Sequence, residues 1–514
     1  MLVTIFRGKF AFVLKVITLL ILSSILVMLA QQALAQGEYV IAGFLALATF
    51  AINFIYLTKK SVPLKFFLPG LLFLLAFVVG PIAYTVTMSG FQYQTGNTLS
   101  KPEAIERLTA LGVTQDPDQT IFDVTIGKTT NGELGLIYFD SLKNEFAIST
   151  ESKRLPQFRA GIVFDDFDIP LRSPEFVELS TEELTNLDKE IPSLKFFYND
   201  EYYLGLEGFQ AASLYKQATR YDAVNDQFVS LLNGDIYSDN GKGHYANTKD
   251  PEDILQPGWR APIWFENYAK LFSEERIRTP FIEVFIWTMA FAGLSVLTTF
   301  ALGLLLALAL NKPIRGRRIY RSILILPYAM PSVMSILIWG GMFNTEFGAI
   351  NNLLGTEIAW FQSAAFARTA VILVNLWLGF PYFYLVASGA LQAIPAELSE
   401  AAAIDGASPR QIFNKITLPL LLKILAPLLI ASFAFNFNNF NLIFLLTGGG
   451  PINQLDGELA GATDILISYT YKIAFNEGSS NLGLASAISV LIFLLVASIS
   501  LYGLKKSKVM EDLK

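Results

Sequence analysis

The sequence predicts an all-α polytopic membrane protein of about eight transmembrane helices, carrying a large soluble external insert of α/β or mostly-β character. Three observations carry this expectation. The 514 residues are 53% hydrophobic with a mean hydropathy of +0.45, too apolar for a water-soluble chain of this length. Apolar runs near the roughly 20 residues that a bilayer core requires recur along both ends of the chain. Charge is also unevenly placed. Residues 92–280 hold 31 acidic and 18 basic residues, a net of −13, while the remainder holds 13 acidic and 20 basic, a net of +7. An acidic soluble segment is set into a membrane body flanked by basic residues.

In chain order, a short basic start (Arg7, Lys9) precedes apolar runs at 13–34 and 39–57, and Lys59, Lys60 and Lys65 follow. Residues 1–65 are therefore two N-terminal transmembrane helices. Residues 66–91 hold a third, with Pro69, Gly70, Gly80 and Pro81 inside it. The insert occupies 92–280, and 281–514 form the rest of the membrane body, with spans at 281–310, 320–343, 369–392, 419–446 and 484–504. The first run is no cleaved leader, because no small-x-small site is followed by a soluble chain. An even number of spans puts both termini on one face. The positive-inside rule makes that face cytoplasmic, since it receives Lys312, Arg315, Arg317, Arg318, Arg321, Lys505, Lys506 and Lys508. Of the basic residues in the membrane body only Arg368 and Lys472 fall on the outer side.

Within the insert, Lys101–Leu111 has the spacing of a short amphipathic helix. Residues 122–126, 136–139, 146–149 and 162–164 read as short strands bounded by Gly, Asn and Asp. A segment of nearly 190 residues can bury its own core.

Composition also excludes chemistry. There is no cysteine and one histidine, so thiol chemistry, disulfides, zinc sites and Ser-His-Asp catalysis are out. No catalytic residue, no metal site and no nucleic-acid partner is expected. Gly127-Lys128-Thr129 lacks the first glycine of a phosphate loop, where Phe122 stands, so the chain hydrolyses no ATP by itself. His244 reads as a loop residue, and Asp165-Asp166 as part of a solvated face.

The membrane body holds two stretches with more to say. Residues 400–409 are polar between apolar runs and read as helix, turn, helix. Ala401 to Ala403 are strong helix formers, Asp405-Gly406 is a stop at which Gly takes a left-handed cap, and Ser408-Pro409 is an N-cap followed by Pro at the first helical position. In the seventh span Ser432, Asn436 and Asn439 are spaced by four and three, with Phe435 beside them. On a continuous helix they share one face, while Asn438 and Asn441 look elsewhere. Amides in a span either line a polar path or bond across helices. Beside an aromatic ring they suit a sugar, with its hydroxyls and its C–H faces. The sixth span carries Gly379 and Pro381, which predict a break near mid-membrane. The fifth has the similar Pro327-Tyr-Ala-Met-Pro331. Thr447-Gly-Gly-Gly-Pro451 is a flexible turn at the outer end of span seven.

Glu400-Ala401-Ala402, Gly406, and Ile416-Thr-Leu418-Pro419 resemble the signature loop of the membrane subunits of binding-protein-dependent ABC importers. Leu326-Pro-Tyr-Ala-x-Pro-Ser, Asn375-x-Trp-Leu-Gly-x-Pro-Tyr and 431–440 are similar to the larger membrane subunit of maltose/maltodextrin importers, as are the eight spans and the insert after span three. The resemblance is strongest over 280–514. It implies a permease subunit, not an enzyme, that moves maltose/maltodextrin-type oligosaccharides across the bacterial inner membrane by alternating access. It implies a coupling loop at 396–419, in which Glu400, Ala401, Ala402 and Gly406 match the motif and dock into an ATPase subunit. It puts Leu378, Gly379, Tyr382, Ser432, Phe435, Asn436 and Asn439 on positions that line the sugar site. The implied partners are a second, smaller permease, two ATPase subunits that bind ATP and Mg, and a periplasmic sugar-binding protein clasped by the insert. Two other classes remain. A membrane-embedded glycan enzyme would use carboxylates of the insert. An ion-coupled secondary sugar transporter would want an ionisable residue at mid-membrane, and spans five to eight have none.

Overall fold

The computed structural model describes residues 9–58, 62–187, 194–311, 314–452, 459–476 and 480–506. Arg7, Lys59, Lys60, Lys312 and Lys508, part of the charge argument, lie outside the described residues. The chain forms two compact units, Met1–Met88 and Ser89–Lys514.

The first unit is three apolar helices, α1 (Lys9–Ala35), α2 (Tyr39–Leu57) and a third span that runs as α3 (Val62–Leu74), a widened π turn (Leu75–Val79) and α4 (Gly80–Met88). Pro81 has no N–H to return to the preceding turn, and the wider turn accommodates that loss. Phe50, Phe66 and Phe77 stand exposed on these helices, as side chains that face lipid do. Asn53 is satisfied within the unit, donating to Ser23 Oγ at 2.7 Å.

The second unit opens with the insert. Strand β1 (Phe91–Gln92) pairs with a strand at Ala261–Pro262. Helix α5 (Lys101–Leu111) forms where expected, behind a Ser100/Glu103 capping box. An antiparallel nine-stranded sheet and a four-stranded antiparallel meander fill the space between. The strands read at 122–126, 136–139, 146–149 and 162–164 appear as Ile121–Thr129, Leu134–Asp140, Glu145–Thr150 and Val163–Phe164. Gly127-Lys128-Thr129 is the end of the first of these strands, not a phosphate loop.

In the larger sheet Asp140, fully buried, takes Arg154 Nη2 at 2.5 Å and the backbone N–H of Leu142 and Lys143 at 3.1 Å. Arg154 also reaches Glu145 at 2.7 Å and the Tyr138 hydroxyl at 3.2 Å. His244, read as a loop residue, sits half-buried with Nε2 3.1 Å from Asn97 Oδ1, and burial holds its imidazole below its ordinary pKa.

The insert is rooted in the membrane body. Asn267 Nδ2 donates to the carbonyls of Ser89 and Phe91 at 2.9 and 3.0 Å. Thr95 N–H donates to Ser480 O at 2.8 Å and Gly483 N–H to Tyr93 O at 2.9 Å. Helix α6 (Glu266–Ser273) leads into α7 (Glu275–Ala309). The last residues that composition assigns to the insert, 275–280, are therefore already the start of a membrane helix.

The fifth span is not one straight helix. It is α8 (Arg317–Ala329) and α9 (Ser332–Met342), set at 94° to each other. Pro331 drives Met330 out of the helical region, to ψ 141°. The sixth span reverses the expectation of a break: α10 (Ala364–Ala393) runs unbroken through Pro381. It is held by close packing on α7. A Cβ on Gly379 would stand 2.8 Å from Thr299 Cγ2, and one on Gly303 would stand 2.7 Å from Phe383 Cβ. Small residues at such crossings let backbones approach.

The loop that follows contains α11 (Ala396–Ile404) and α12 (Pro409–Ile412), and a π turn leads into α13 (Leu418–Phe437). The seventh span, expected to be continuous, breaks at Asn438-Asn439, and α14 (Phe440–Leu446) resumes it. Asn439 is the N-cap of α14, its Oδ1 accepting from Leu442 N–H at 3.4 Å. A short amide that bonds its own backbone competes with the helix. Helices α15 (Leu466–Phe475) and α16 (Leu482–Lys506) complete the unit. Among the described residues seven helices are long and apolar enough to cross a membrane, and the bent pair, taken as one span, brings the number to eight.

Replacing Asp140 by alanine leaves the buried Arg154 guanidinium short of its closest counter-charge. The expected cost is about 3–5 kcal/mol, read as a lower denaturation midpoint of the insert's sheet by circular dichroism.

Candidate functional site

A cavity of about 580 Å³ lies between α7, the α8–α9 bend, α10, α13 and the start of α14. Leu378, Gly379, Tyr382, Ser432, Phe435, Asn436 and Asn439 all line it. Phe435 presents its ring, 69% exposed, beside the Ser432 hydroxyl.

Three asparagines on this wall form a chain of amides. Asn436 Nδ2 donates to Ser432 O at 2.8 Å. Asn375 Nδ2 donates to Asn436 Oδ1 at 2.9 Å. Asn439 Nδ2 donates to Asn375 Oδ1 at 3.4 Å. The same residues cross-link α10 to α13 and α14 and line the cavity. Asn375 and Asn436 are buried.

Asn438 turns back on its own helix, Nδ2 to Ala434 O at 3.2 Å, and does not line the cavity. Asn441, expected to look elsewhere, does line it. The reason is the break at 438–439, which rotates everything after it away from the positions a continuous helix would give. The wall made by Tyr328, Met330 and Ser332 was missed as well. The signals for it in the sequence are the pair Pro327 and Pro331 and the resemblance over 326–332.

At one end of α10 stands the 396–417 loop. Helix α11 closes in a Schellman pattern: Gly406 N–H donates to Ala403 O at 3.1 Å and Ala407 N–H to Ala402 O at 2.9 Å, with Gly406 at φ +81°. Ser408 and Gln411 form a capping box at the start of α12, with Ser408 N–H to Gln411 Oε1 at 2.8 Å. Glu400, Ala401 and Gly406 are exposed and Ala402 is half-buried. Ile404 is 87% exposed.

Residues 299–507 match the family described as "Binding-protein-dependent transport system inner membrane component". The chain is 37% identical over 504 residues to the maltose/maltodextrin transport system permease protein MalF of Vibrio vulnificus YJ016, covering 93% of this chain and 91% of that one. It is 36% identical over 497 residues to the protein of the same name from Escherichia coli K12, covering 93% of both. Among solved structures, a bacterial ABC transporter involved in the import of the polysaccharide alginate is similar at 23% identity and a TM-score of 0.42. That match covers 48% of this chain and 84% of that one.

Asn375→Ala removes the donor to a buried amide oxygen. It should lower stability by about 1–3 kcal/mol, seen as a reduced thermal midpoint of the detergent-solubilised protein. Tyr382→Phe removes a hydroxyl with no hydrogen-bond partner among the described residues and should leave that midpoint where it is.

Proposed function

This chain belongs to the maltose/maltodextrin permease family of binding-protein-dependent inner-membrane components, and from that premise we propose that it carries maltose/maltodextrin-type oligosaccharides through the 580 Å³ cavity by alternating access. One observation carries the reading. Helix α10 is a single unbroken rod that bears Leu378, Gly379 and Tyr382 on the cavity and ends at the capped loop. From Tyr382 to Ala393 is about 16 Å at 1.5 Å per residue. Helix α13 leaves the same loop and carries Ser432, Phe435 and Asn436 to the same space. A push on the loop therefore tilts two walls of the cavity together.

The roles follow from the geometry. Phe435 offers its face to pyranose C–H groups, and the polar side chains around it take hydroxyls. Gly379 permits the α7–α10 contact that keeps α10 straight. Glu400, Ala401, Ala402 and Gly406, with Ile404 between them, form the docking face for an ATPase subunit. Two such subunits supply ATP, Mg²⁺ and hydrolysis. A smaller permease completes the path, and the 92–280 insert receives a periplasmic sugar-binding protein. The loop and both termini face the cytoplasm in this reading. Because coupling is reciprocal, a loaded binding protein docked outside favours the ATP-closed state as strongly as that state favours its docking.

A carboxylate-based glycan enzyme has little support. The insert's Asp140 is locked on Arg154, and Asp165 accepts from the backbone N–H of Phe167 and Ile169 in a turn. An ion-coupled carrier has no better footing. Buried Asp464 lies beyond the outer end of α14 and is paired with Lys472 at 2.6 Å.

Uptake of labelled maltose into vesicles holding the assembled complex should require ATP and be blocked by vanadate; uptake driven by an ion gradient alone would refute the reading. Gly406→Pro fixes φ near −65° where the fold needs +81° and removes the N–H to Ala403. The variant should reach the membrane, yet lose ATPase association or hydrolyse ATP without transport. Wild-type transport by it would exclude the loop from coupling.

A further inference from the structure

The first unit has a groove of its own. Helices α1, α2 and the third span together enclose a space of about 660 Å³. Leu19, Ala48, Ile52 and Leu68 are buried along it. Its lining contains three polar side chains, Lys15, Thr18 and Tyr56. The Thr18 hydroxyl is held by Leu14 O at 2.9 Å. The other two meet at one end, where a second lysine joins them. Lys15 Nζ donates to Tyr56 O, Tyr56 Oη donates to Lys65 O at 2.6 Å, and Lys65 Nζ donates to Thr58 O at 2.6 Å.

An ammonium carries three donors, so each lysine has N–H groups left over. Neither meets a carboxylate among the described residues. In sequence, the six basic residues of 1–88 all fall at or before Lys15 or between 59 and 65. The one acid of this stretch, Glu38, stands at the opposite end, as the N-cap of α2.

Depth points to the same end. Helix α1 has 27 residues, about 40 Å at 1.5 Å per residue, against roughly 30 Å of hydrocarbon. Lys15 is about 9 Å from its start, near the level at which headgroups give way to acyl chains. From there the groove runs to Leu26 on α1 and from Tyr56 back to Phe44 on α2, about 16–18 Å. That is close to the depth of one leaflet, half of the hydrocarbon core. A half-buried cation beside hydrocarbon is unfavourable without a counter-charge, and an anion at phosphate level supplies one.

We propose that this groove is a binding site for one phospholipid with a net negative headgroup. Its phosphate sits on the Lys15 and Lys65 ammoniums, and an acyl chain lies against Leu19, Ala48 and Ile52. Basic side chains at a membrane surface gather anionic lipid; the groove adds a shape that fixes one molecule. In the orientation proposed above, the lipid comes from the cytoplasmic leaflet.

The test uses the purified, assembled complex in detergent and phosphatidylglycerol carrying a diazirine on one acyl chain. After illumination, adducts are mapped by peptide mass spectrometry. They should fall on 11–26, 44–56 and 68–77. Unlabelled phosphatidylglycerol should suppress them about thirtyfold better than phosphatidylcholine of the same chains, a factor of about 1 kcal/mol for each lysine. In the double variant Lys15→Gln, Lys65→Gln that preference should vanish while the adducts stay on the same peptides, because the apolar groove remains. Equal competition by the two lipids in the wild type overturns the proposal, as does a preference that survives in the double variant. Adducts confined to other peptides mean that a helix of a partner chain fills the groove, and they overturn it too. Should the double variant fail to assemble, the adduct map and the competition in the wild type decide.

Discussion

An amide inside a bilayer has no water to turn to. Each N–H or C=O that a carboxamide brings into hydrocarbon must find a protein partner or border a polar space. Asn375, Asn436 and Asn439 meet that constraint together, and much of the membrane body depends on how they do it. Asn439 uses its oxygen to start α14 and its nitrogen to reach α10. Asn375 passes the bond to α13. The seventh span can break because the break supplies a cap. The break in turn brings Asn441 to the cavity, and the cross-link ties α10 to α13 within the cavity's lining.

The spans divide by what their breaks accomplish. The π turn at 75–79 and the bend at 330–331 both follow from a proline that removes a donor or forbids a helical neighbour. The break at 438–439 follows from asparagine capping. Pro381 is the instructive contrast. Its helix stays whole because Gly379 and Gly303 let α7 and α10 meet backbone to side chain along their length. Packing of that closeness holds the turn around the missing hydrogen bond. Unbroken α10 lines the cavity and ends at the exposed loop, and the bend at 330–331 and the break at 438–439 supply other parts of the lining.

The far end of α14 is also held, not loose. The Gly-rich turn at 447–451 lies against buried Asp464. A Cβ on Gly449 would fall 2.0 Å from Asp464 Oδ1. Asp464 takes Gly461 N–H and Ser468 Oγ at 2.7 Å as well as Lys472. Arg368 stacks over Trp287 and donates to Ala462 O at 2.8 Å. Arg368 and Lys472 are the two cations that the positive-inside rule left on the outer side. Each is there to tie this corner to α7, α10 or α15.

Much of this was legible in the sequence because it rests on local rules. Span positions follow from hydropathy. The helix at Lys101–Leu111 and four strands follow from periodicity. The turn inside the 396–419 loop was readable, because Asp405-Gly406 and Ser408-Pro409 carry their own caps. Seven cavity residues were reached through spacing and resemblance. Other features were not readable. Whether a proline breaks its helix depended on what packs against it, so Pro331 and Pro381 have opposite outcomes. The side on which Asn441 falls depended on a cap that interrupts the helical count. Tyr328 and Ser332 reach the cavity only through a 94° bend. The sequence by itself determined which segments enter the membrane and which amides go with them. Only the tertiary structure decided which of those amides are consumed by other helices and which groups remain free to meet a ligand. A hydrogen bond is made between two partners, and one strand of residues specifies only one of them.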